Sequence, residues 1–580
     1  MNNKSIIKTI LKLRNEAKKF ARTNDDQLSI ARSFVAGIIV ELYSPTVPYQ
    51  GKTKNSLLSS ELIKLFTKLD IDTAAYFIGT IYTAMLPVKY RSEYGVYYTP
   101  PALTERLLDM TEDGGVDWGE ARIVDPACGG GAFLAPIARR ILKKINHLNE
   151  AEKTSYLKVH LHGFEIDPFS AWMSKVFLEI SIKKECKVSS ELLNTMISVC
   201  DSLKDTEKFY STYDLVIGNP PYGKIKLDVK ERKAWSRSLY GHTNLYTLFT
   251  DLGLRLSKNN AIVAFVTPTS FLGGQYFKAL RSLLSTTAHP LEINFISRRE
   301  GVFADALQET LLSVYKLKNT DSPVNVKFLD VKEDGILKIK DGGSYRLPEN
   351  KEAPWILPRA IDQIKIASLA QNKFSYLKNL GYKVSTGPLV WNRNKEKLKI
   401  KKLKRCIPVI WAESIKTSGN FKFSTKGKNH SSWYISTSEE RDPNIIKSSC
   451  ILLQRTSSIE QKRRLVSAVL PQDFIDNSGG SVVIENHINM IKPIKNTETT
   501  ISMETLTIFL NSIFVDKVFR CINGSTAVSA YELESMPIPS PQDFIKFEHL
   551  IIDNKTTKGL ESLIEEMYFN VDSEAVANHK

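Results

Sequence analysis

An asparagine, two prolines and a tyrosine follow an apolar run in the first half of the chain. The run 213–218 is typical of a strand, and Asn219, Pro220, Pro221 and Tyr222 come directly after it. Two prolines cannot continue a central strand, so the chain must leave the sheet here as a stiff loop. Such a loop can hold the amide oxygen of Asn219 and the carbonyl oxygen of Pro220 at fixed positions. Both are hydrogen-bond acceptors, so together they could accept the two hydrogens of a planar NH2 group. Accepting both amine hydrogens would concentrate the nitrogen lone pair for attack on an electrophilic methyl group, and Tyr222 offers a face on which a base can stack.

A glycine-rich turn precedes this loop in the sequence. Asp125, Ala127 and Gly129 belong to Asp-Pro-Ala-Cys-Gly-Gly-Gly, which follows the strand candidate 122–125 and opens a helical pattern. Glycines let the backbone turn tightly and approach a ligand without interference from Cβ. Sheets of the α/β class bind ligands at the carboxyl ends of their strands. The turn therefore predicts a ligand site, although it is neither a phosphate loop nor a dinucleotide fingerprint.

Two further acidic residues extend this pattern. Glu165 ends the strand candidate 159–165, and an acid at this distance suits a bidentate acceptor for two ribose hydroxyls. Asp201 fits a hydrogen bond to an adenine amino group. Together with Asp125, these acids outline a pocket for an adenosine, and the lack of a phosphate loop favours a nucleoside such as S-adenosylmethionine over a nucleotide.

The elements that must position these residues form several domains. Residues 1–90 read as a helical region, and residues 91–330 alternate strand-like and helical patterns, which predicts a doubly wound α/β sheet. Residues 331–380 are interpreted as a connector. Short strand-like runs with many turn residues predict a separate α+β or mostly β domain over 381–540. Residues 541–580 are predicted to form a helix and a polar tail.

Positive charge is concentrated in the second half of the chain. The formal net charge of the 580 residues is +16, and the stretch 383–464 holds 19 Lys and Arg against 6 Asp and Glu. Aromatic and amide side chains lie between the basic residues, and Lys462, Arg463 and Arg464 form a second cluster. This pattern indicates either a solvated lysine-rich surface or a surface for a polyanion, whose phosphates Lys and Arg neutralise with release of counterions.

Other classes of protein and site are disfavoured by the sequence. The cysteines are widely spaced and form no C-x-x-C pair, which fits a reducing compartment and predicts no metal site. The longest apolar stretch, 74–88, falls short of the ~20 residues that span a bilayer, so it is interpreted as a buried helix. We see no secretory signal and expect a cytoplasmic protein. Cys128 has no histidine nearby in the sequence, so we propose no nucleophile.

The two motifs together resemble a known family. Asp-Pro-Ala-Cys-Gly-Gly-Gly-Ala-Phe-Leu followed by Gly-Asn-Pro-Pro-Tyr-Gly resembles the gamma-class, TaqI-like N6-adenine DNA methyltransferases of type II restriction–modification systems. Tyr97-Tyr98-Thr99-Pro100-Pro101 looks like the segment that precedes the glycine loop in that family. The resemblance implies a Rossmann-like class I methyltransferase sheet, S-adenosylmethionine as cofactor and a C-terminal target-recognition domain. It also implies double-stranded DNA as the substrate.

The resemblance assigns roles to individual residues. Thr99 would contact the amino-acid end of the cofactor, Glu165 its ribose and Asp201 its adenine. The full set of expected cofactor contacts is Thr99, Asp125, Ala127, Gly129, Glu165, Ile166, Asp201, Ser202, Asn219, Pro221 and Phe249. The residues expected to hold the flipped-out target base are Asn219, Pro220, Pro221, Tyr222 and Phe303.

Several alternatives remain at this point. N4-cytosine transfer is chemically close, and Asn-Pro-Pro-Tyr also occurs in enzymes that methylate RNA or a protein glutamine amide. A DNA-binding module with an inactive catalytic domain is disfavoured by the intact motifs. We find no nuclease segment, so a fused endonuclease is not expected. The built-in recognition domain suggests an enzyme without an obligate protein partner, monomeric on DNA, that protects host DNA from a cognate restriction endonuclease.

Overall fold

The fold is described from a computed structural model. It describes residues 23–53, 57–94, 98–296, 309–318, 322–331, 336–370, 374–403, 405–424, 430–436, 440–457, 461–553 and 559–569. The chain divides into two compact units, of which the first comprises residues 1–271 and 276–352 and the second residues 272–275 and 353–580.

The first unit begins with helices. They are α1 (Asn24–Tyr43), α2 (Leu57–Phe66), α3 (Ile71–Met85) and α4 (Val88–Tyr94). Thr23 caps α1 by accepting from the amide of Asp26 at 3.1 Å, and Asp70 caps α3 by accepting from Thr73 at 2.9 Å. The apolar stretch predicted as a buried helix coincides largely with α3, whose second half is buried. No helix in the described ranges is long and apolar enough to cross a membrane.

A sheet of nine strands forms the centre of the first unit. Its strands are β1 (Ile123–Asp125), β2 (Leu161–Glu165), β3 (Ile197–Val199), β4 (Tyr213–Gly218), β5 (Ser257–Pro268), β6 (His289–Ile296), β7 (Thr310–Lys316), β8 (Val324–Val331) and β9 (Leu337–Tyr345). Their order across the sheet is β9-β8-β6-β7-β5-β4-β1-β2-β3. Strands β3, β2, β1, β4 and β5 run parallel, and β7 pairs antiparallel with both β5 and β6. The predicted α/β class of the sheet is confirmed.

The other described helices of this unit lie between strands, except for the first, which precedes β1. They are α5 (Pro101–Asp113), α6 (Leu134–Lys144), α7 (Glu150–His160), α8 (Pro168–Ile182), α9 (Ser190–Met196), α10 (Ser202–Asp205), α11 (Val229–Ala234), α12 (Leu245–Leu256) and α13 (Lys278–Thr287). One hydrophobic core lies between the sheet and α5, α6 and α9, while α1, α2 and α3 form a second core with one face of α8. The N-terminal helices are thus packed on the helix that follows β2.

Two predicted boundaries differ from the observed ones. The strand predicted over 159–165 begins only at Leu161, because α7 continues through His160, whose ring stacks on Tyr156 with centroids 3.7 Å apart. The sheet continues past residue 330, since β8 and β9 pair with one another and β8 pairs with β6. One boundary between the two units falls between residues 352 and 353 of the chain, inside the segment 331–380 that was interpreted as a connector.

The second unit contains two smaller sheets. Its strands are β10 (Tyr382–Thr386), β11 (Leu398–Lys399), β12 (Ile407–Ile410), β13 (Trp433–Tyr434), β14 (Ile445–Ile446), β15 (Cys450–Gln454), β16 (Ser467–Leu470), β17 (Val482–Ile484) and β18 (Ile488–Pro493). They form a four-stranded sheet, β10-β18-β15-β16, and a five-stranded sheet, β11-β13-β12-β17-β14. Its helices are α14 (Ile364–Leu369), α15 (Gln472–Asn477), α16 (Met503–Leu510), α17 (Ile513–Ile522), α18 (Ala530–Glu534), α19 (Pro541–Ile552) and α20 (Leu560–Phe569).

Candidate active site

Four neighbouring parallel strands end at one edge of the large sheet. Asp125 ends β1, Glu165 ends β2, Asp201 follows β3 and Asn219 follows β4. These four residues line a cavity of about 450 Å³. The predicted convergence of the acids and the asparagine at the carboxyl edge is therefore observed, because parallel strands bring their carboxyl ends together.

The cavity brings together every residue expected to contact a cofactor. They are Thr99, Asp125, Ala127, Gly129, Glu165, Ile166, Asp201, Ser202, Asn219, Pro221 and Phe249. The cavity is also lined by residues for which the sequence predicted no individual role, among them Tyr98, Asp167, Lys224 and Lys226. The lysines belong to the short segment after Asn-Pro-Pro-Tyr, where Lys224–Ile225 pairs with Thr243–Asn244. A lysine near a proline loop carries no distinctive signal, so they could not have been found from sequence.

Each glycine of the loop between β1 and α6 occupies a position where a side chain is disfavoured, by its backbone conformation, by a close neighbour or by both. Gly129 and Gly131 have positive φ values of 52° and 81°, which side chains rarely adopt. A Cβ at Gly131 would lie 2.8 Å from Ser174 Oγ, and one at Gly130 would lie 2.4 Å from the ring of Tyr98. Close neighbours therefore favour glycine at positions 130 and 131, whereas at Gly129, where a Cβ would meet no atom within 4 Å, only the positive φ favours it.

Asp125 lies at the bottom of the cavity and is almost completely buried. Its Oδ1 accepts a hydrogen bond of 3.0 Å from the amide of Ala127, which fixes the start of the glycine loop. Gly218 leaves the space for this carboxylate, since a Cβ there would lie 2.4 Å from Asp125 Oδ1. Burial raises the pKa of Asp125 to about 8, because desolvation disfavours the charged form. A ligand that donates hydrogen bonds to Asp125 would stabilise that charge.

Glu165 is held by two backbone amides. Its Oε2 accepts from Gly129 and its Oε1 accepts from Asp167, each at 2.8 Å. Burial raises the pKa of Glu165 to about 7, and the charge of Asp167 adds to that effect, while both amide bonds oppose it. Each carboxylate oxygen can accept more than one hydrogen bond, so both remain able to receive a ribose hydroxyl.

The adenine side of the expected site combines polar and apolar groups. Asp201 accepts from the amide of Leu203 at 3.1 Å and so caps α10, while the hydroxyl of Ser202 donates to the Pro126 carbonyl at 2.6 Å. Ile166 lies on the cavity wall with 48% of its surface exposed, and Phe249 also lines the cavity although it is largely buried. An exposed isoleucine in a concave site offers an apolar surface to a flat ligand.

Asn219 is fixed by two side chains. Its Nδ2 donates to the hydroxyl of Thr99 at 3.1 Å, and its Oδ1 accepts from the hydroxyl of Tyr222 at 2.7 Å. The Tyr222 hydroxyl also lies 3.1 Å from the carbonyl of Val266 at the end of β5. The amide is thereby oriented with its oxygen away from Thr99, and a carbonyl oxygen can accept a second hydrogen bond.

The expected residues around the target base are only partly described. Asn219 and Pro221 line the cavity, Pro220 is buried, and the ring of Tyr222 is perpendicular to that of Tyr246 at a centroid distance of 6.3 Å. Phe303 lies outside the described residues, so its expected role stays a prediction.

The donor set fits a nucleoside cofactor better than a metal ion. Carboxylates, an apolar wall and a glycine loop match the hydroxyls, base and small charged tail of S-adenosylmethionine. Within the described ranges, no group of three or more His, Cys, Asp and Glu side chains is placed to hold a metal. His162 is half-buried and is hydrogen-bonded to the Tyr213 hydroxyl at 2.9 Å.

The basic region of the second unit exposes part of its charge. Trp391 is 41% exposed with Lys395 Nζ 5.5 Å from its ring centroid, and Lys402 lies 5.1 Å over the ring of Trp433. The second predicted cluster differs, because its arginines bind the protein itself. Arg464 is buried and donates to Ser457 Oγ at 3.0 Å, and Arg463 donates to the carbonyl of Thr417 at 2.5 Å. Arg464 is therefore not part of an exposed basic surface, whereas Arg463 is half-buried.

Comparison with known proteins finds similarity to the same class of enzyme that the motifs resemble, the methyltransferases of restriction–modification systems. Residues 159–303 match the family described as Eco57I restriction-modification methylase. The chain is 26% identical over 500 residues to the type II methyltransferase M.BsuBI of Bacillus subtilis, covering 83% of this chain and 95% of the relative. It is 23% identical to the type II methyltransferase M.PstI of Providencia stuartii, covering 81% and 94% of the two chains.

One solved structure supports the fold. It is the type IIL restriction-modification enzyme MmeI in complex with DNA, which superposes with a TM-score of 0.54 at 14% identity. The match covers 100% of this chain and 96% of the other. At this identity the likeness concerns the fold alone.

Proposed function

We propose that this chain, a gamma-class methyltransferase of a type II restriction–modification system, transfers a methyl group from S-adenosylmethionine to the N6 amine of an adenine in duplex DNA. The observation that carries the proposal is the single cavity lined by the glycine loop, Glu165, Asp201 and Asn219. A nucleoside held by the acids and an amine held by Asn219 would then be neighbours at one sheet edge. Such proximity is itself a large part of catalysis.

The chain's own contribution to the reaction is to hold the amine. Asn219 Oδ1 and the Pro220 carbonyl accept its two hydrogens, which raises electron density on the nitrogen. The hydrogen bonds from Asn219 to Thr99 and from Tyr222 to Asn219 keep the acceptor in place before the base arrives. Bound S-adenosylmethionine supplies the electrophilic methyl group. Since the proton leaves after transfer, no strong general base is required.

An adenine inside a duplex must leave the stack to reach this loop. Flipping costs a few kcal/mol, and stacking on Tyr222 and Phe303 would return about 1–3 kcal/mol per aromatic contact. The tyrosine is anchored for that task at its hydroxyl, by Asn219 and by the carbonyl of Val266. The ring can therefore support a base without losing its own position.

The second unit is proposed to bind DNA and select the site. Its exposed lysines would contact phosphates, and Trp391 with its neighbouring amides and lysines would approach the bases. A single chain with catalytic and recognition parts would act on DNA as a monomer. Its product would be protected from a cognate endonuclease that recognises the same sequence.

The proposal is tested by incubating the full chain with unmodified duplex DNA and methyl-labelled S-adenosylmethionine. The DNA is digested and the labelled nucleoside identified. N6-methyladenine is expected. N4-methylcytosine would support the proposed site but show that the target base is cytosine. Labelling of RNA or of a release factor in place of DNA would overturn the proposal.

A further inference from the structure

The N-terminal helices reach the cavity through one ion pair. Arg32 of α1 donates from Nη2 to Asp167 Oδ1 at 2.7 Å, and the hydroxyl of Tyr82 on α3 donates to Asp167 Oδ2 at 3.2 Å. The backbone amide of Asp167 in turn donates to Glu165 Oε1 at 2.8 Å. A continuous set of hydrogen bonds therefore leads from α1 to the carboxylate that faces the cavity.

Asp167 is a carboxylate that requires such a partner. Only 1% of its side chain is exposed, whereas Arg32 is 29% exposed. Asp167 also accepts from the amide and the hydroxyl of Ser170, at 3.1 and 2.8 Å, and thereby caps α8. A buried charge is costly unless it is both paired and hydrogen-bonded, and Arg32 supplies the opposite charge.

We propose that Arg32 is a positioning residue for the cofactor: by neutralising Asp167, it holds the turn 165–167 so that Glu165 presents its carboxylate to the ribose. This inference rests on the proposed use of S-adenosylmethionine. It gives the N-terminal helices a role in supporting the cofactor site. The helices belong to the cofactor site.

A second contact joins the same helices to the glycine loop. The ring of Tyr98 lies between α3 and this loop, since a Cβ at Gly79 would lie 2.3 Å from Tyr98 Cδ1 and one at Gly130 would lie 2.4 Å from Cε1. Tyr98 also lines the cavity. The N-terminal helices thus support both the acidic turn after β2 and the loop after β1.

Loss of Arg32 would act on Glu165 through charge as well as position. The negative charge of Asp167 already helps to raise the pKa of Glu165, and Arg32 is the cation that offsets it. The other titratable groups that face Glu165 are Asp125 of β1, Cys128 of the glycine loop, Cys200 after β3 and Tyr98. With Arg32 removed, Glu165 would ionise at a higher pH and would accept ribose hydroxyls less well near neutrality.

The test measures binding of S-adenosylmethionine by isothermal titration calorimetry from pH 6 to pH 9. For Arg32→Met in the full chain we expect Kd to rise about 10-fold at pH 7, with the midpoint of the pH profile moved to higher pH. The kcat at saturating cofactor should change less than 2-fold. Arg32→Lys should recover part of the affinity, and Asp167→Asn added to Arg32→Met should return the pH midpoint toward that of the wild type.

Arg139→Met is the matched control. Arg139 of α6 pairs with Asp72 of α3, so its loss also removes an ion pair to the helical region, but one that does not lead to Glu165. Its Kd should stay within 2-fold of the wild type. An unchanged Kd and pH midpoint in Arg32→Met, or equal losses in both variants, would overturn the inference. If Arg32→Met does not fold, Arg32→Lys and the double variant decide it by the same criteria. Failure of the wild type to bind the cofactor would instead overturn the proposed function.

Discussion

The side-chain amide of Asn219 donates a hydrogen bond of 3.1 Å to the hydroxyl of Thr99, a residue 120 positions earlier in the chain. This bond joins the segment before α5, expected to contact the amino-acid end of the cofactor, to the loop expected to hold the target amine. The two binding functions are therefore connected by one contact between side chains.

Removing the hydroxyl of Thr99 should loosen the catalytic amide. Thr99→Val keeps the shape of the side chain but leaves Asn219 Nδ2 without this acceptor. A net hydrogen bond is worth about 0.5–1.5 kcal/mol, so we expect kcat to fall by about 3- to 10-fold in a steady-state methylation assay. Thr99→Ser retains the hydroxyl and should stay close to the wild type. Equal rates for the valine and serine variants would contradict the role assigned to this bond.

Removing the amide itself should abolish transfer. Asn219→Ala deletes an acceptor of the amine hydrogens, and loss of one preorganised polar group of this kind typically lowers kcat by 10²–10³. DNA affinity, measured by gel shift, should be retained. A rate like that of the wild type would remove Asn219 from the reaction.

The cofactor should bind more tightly as pH rises from 6 to 8. Burial raises the pKa of Asp125 to about 8 and that of Glu165 to about 7, so both are partly protonated near neutrality in the unliganded protein. A ligand that donates to the carboxylates favours their charged forms, so binding should release protons. Calorimetry in buffers of different ionisation enthalpy measures that release. Glu165→Gln should weaken binding and reduce the pH dependence, whereas identical profiles would count against Glu165 as the acceptor.

Asp125 and Glu165 also determine whether the folded protein gains or loses stability as pH rises. Their pKa values are higher in the folded protein than in the unfolded chain, so the stability that they contribute is present below about pH 4 and is lost as pH rises to about 8. Saturating cofactor should reverse part of that loss. Thermal unfolding with and without S-adenosylmethionine at pH 6 and pH 8 should show the larger stabilisation at pH 8.

Gly218 should not tolerate even alanine. A Cβ there would lie 2.4 Å from Asp125 Oδ1, so Gly218→Ala must displace the carboxylate at the bottom of the cavity. We expect cofactor affinity to fall at least 10-fold with circular dichroism unchanged. Gly119→Ala is the control, since its Cβ would approach no atom closer than 3.3 Å. Similar affinities in both variants would show that the carboxylate can move without loss.

The location of the site could be predicted from the sequence because it depends on local patterns. The run 213–218 and the glycine loop each mark the end of a strand, and parallel strands place such ends together. The strands β8 and β9 were not predicted from the sequence. Strand β9 is largely exposed and contains Asp341, Gly342 and Gly343, which are unusual inside a strand. Their assignment depends on pairing with distant strands.

Other features depend on tertiary contacts that no pattern reveals. Arg463 and Arg464 look like surface charges in the sequence, but they donate to Thr417 and Ser457 in the folded unit. Arg32 and Asp167 lie 135 positions apart, and neither stands in a motif that points to the other. In both cases the sequence shows the charged residue but not the distant group that it contacts in the folded chain. That contact determines whether the residue is buried or exposed.

The exposed lysines of the second unit should govern salt dependence. Lys401 and Lys402 are both exposed. If each contacts a phosphate, the double variant Lys401→Gln, Lys402→Gln should lower the slope of log Kd for DNA against log salt concentration by about 2. The matched pair Lys143→Gln, Lys144→Gln, at the end of α6 away from the cavity, should leave the slope unchanged. Equal slopes for the wild type and the two double variants would show that Lys401 and Lys402 do not contact DNA phosphates.

The central claim is tested most directly by the identity of the methylated nucleoside. Duplex DNA from a methylation-deficient host is incubated with S-adenosylmethionine carrying a deuterated methyl group, using the wild type and Asn219→Ala in parallel, and the digest is analysed by mass spectrometry. We expect deuterated N6-methyladenine with the wild type and about 100-fold less, or lower still, in the same reaction time with Asn219→Ala. Label on another nucleoside, or the same label with both proteins, would contradict the account.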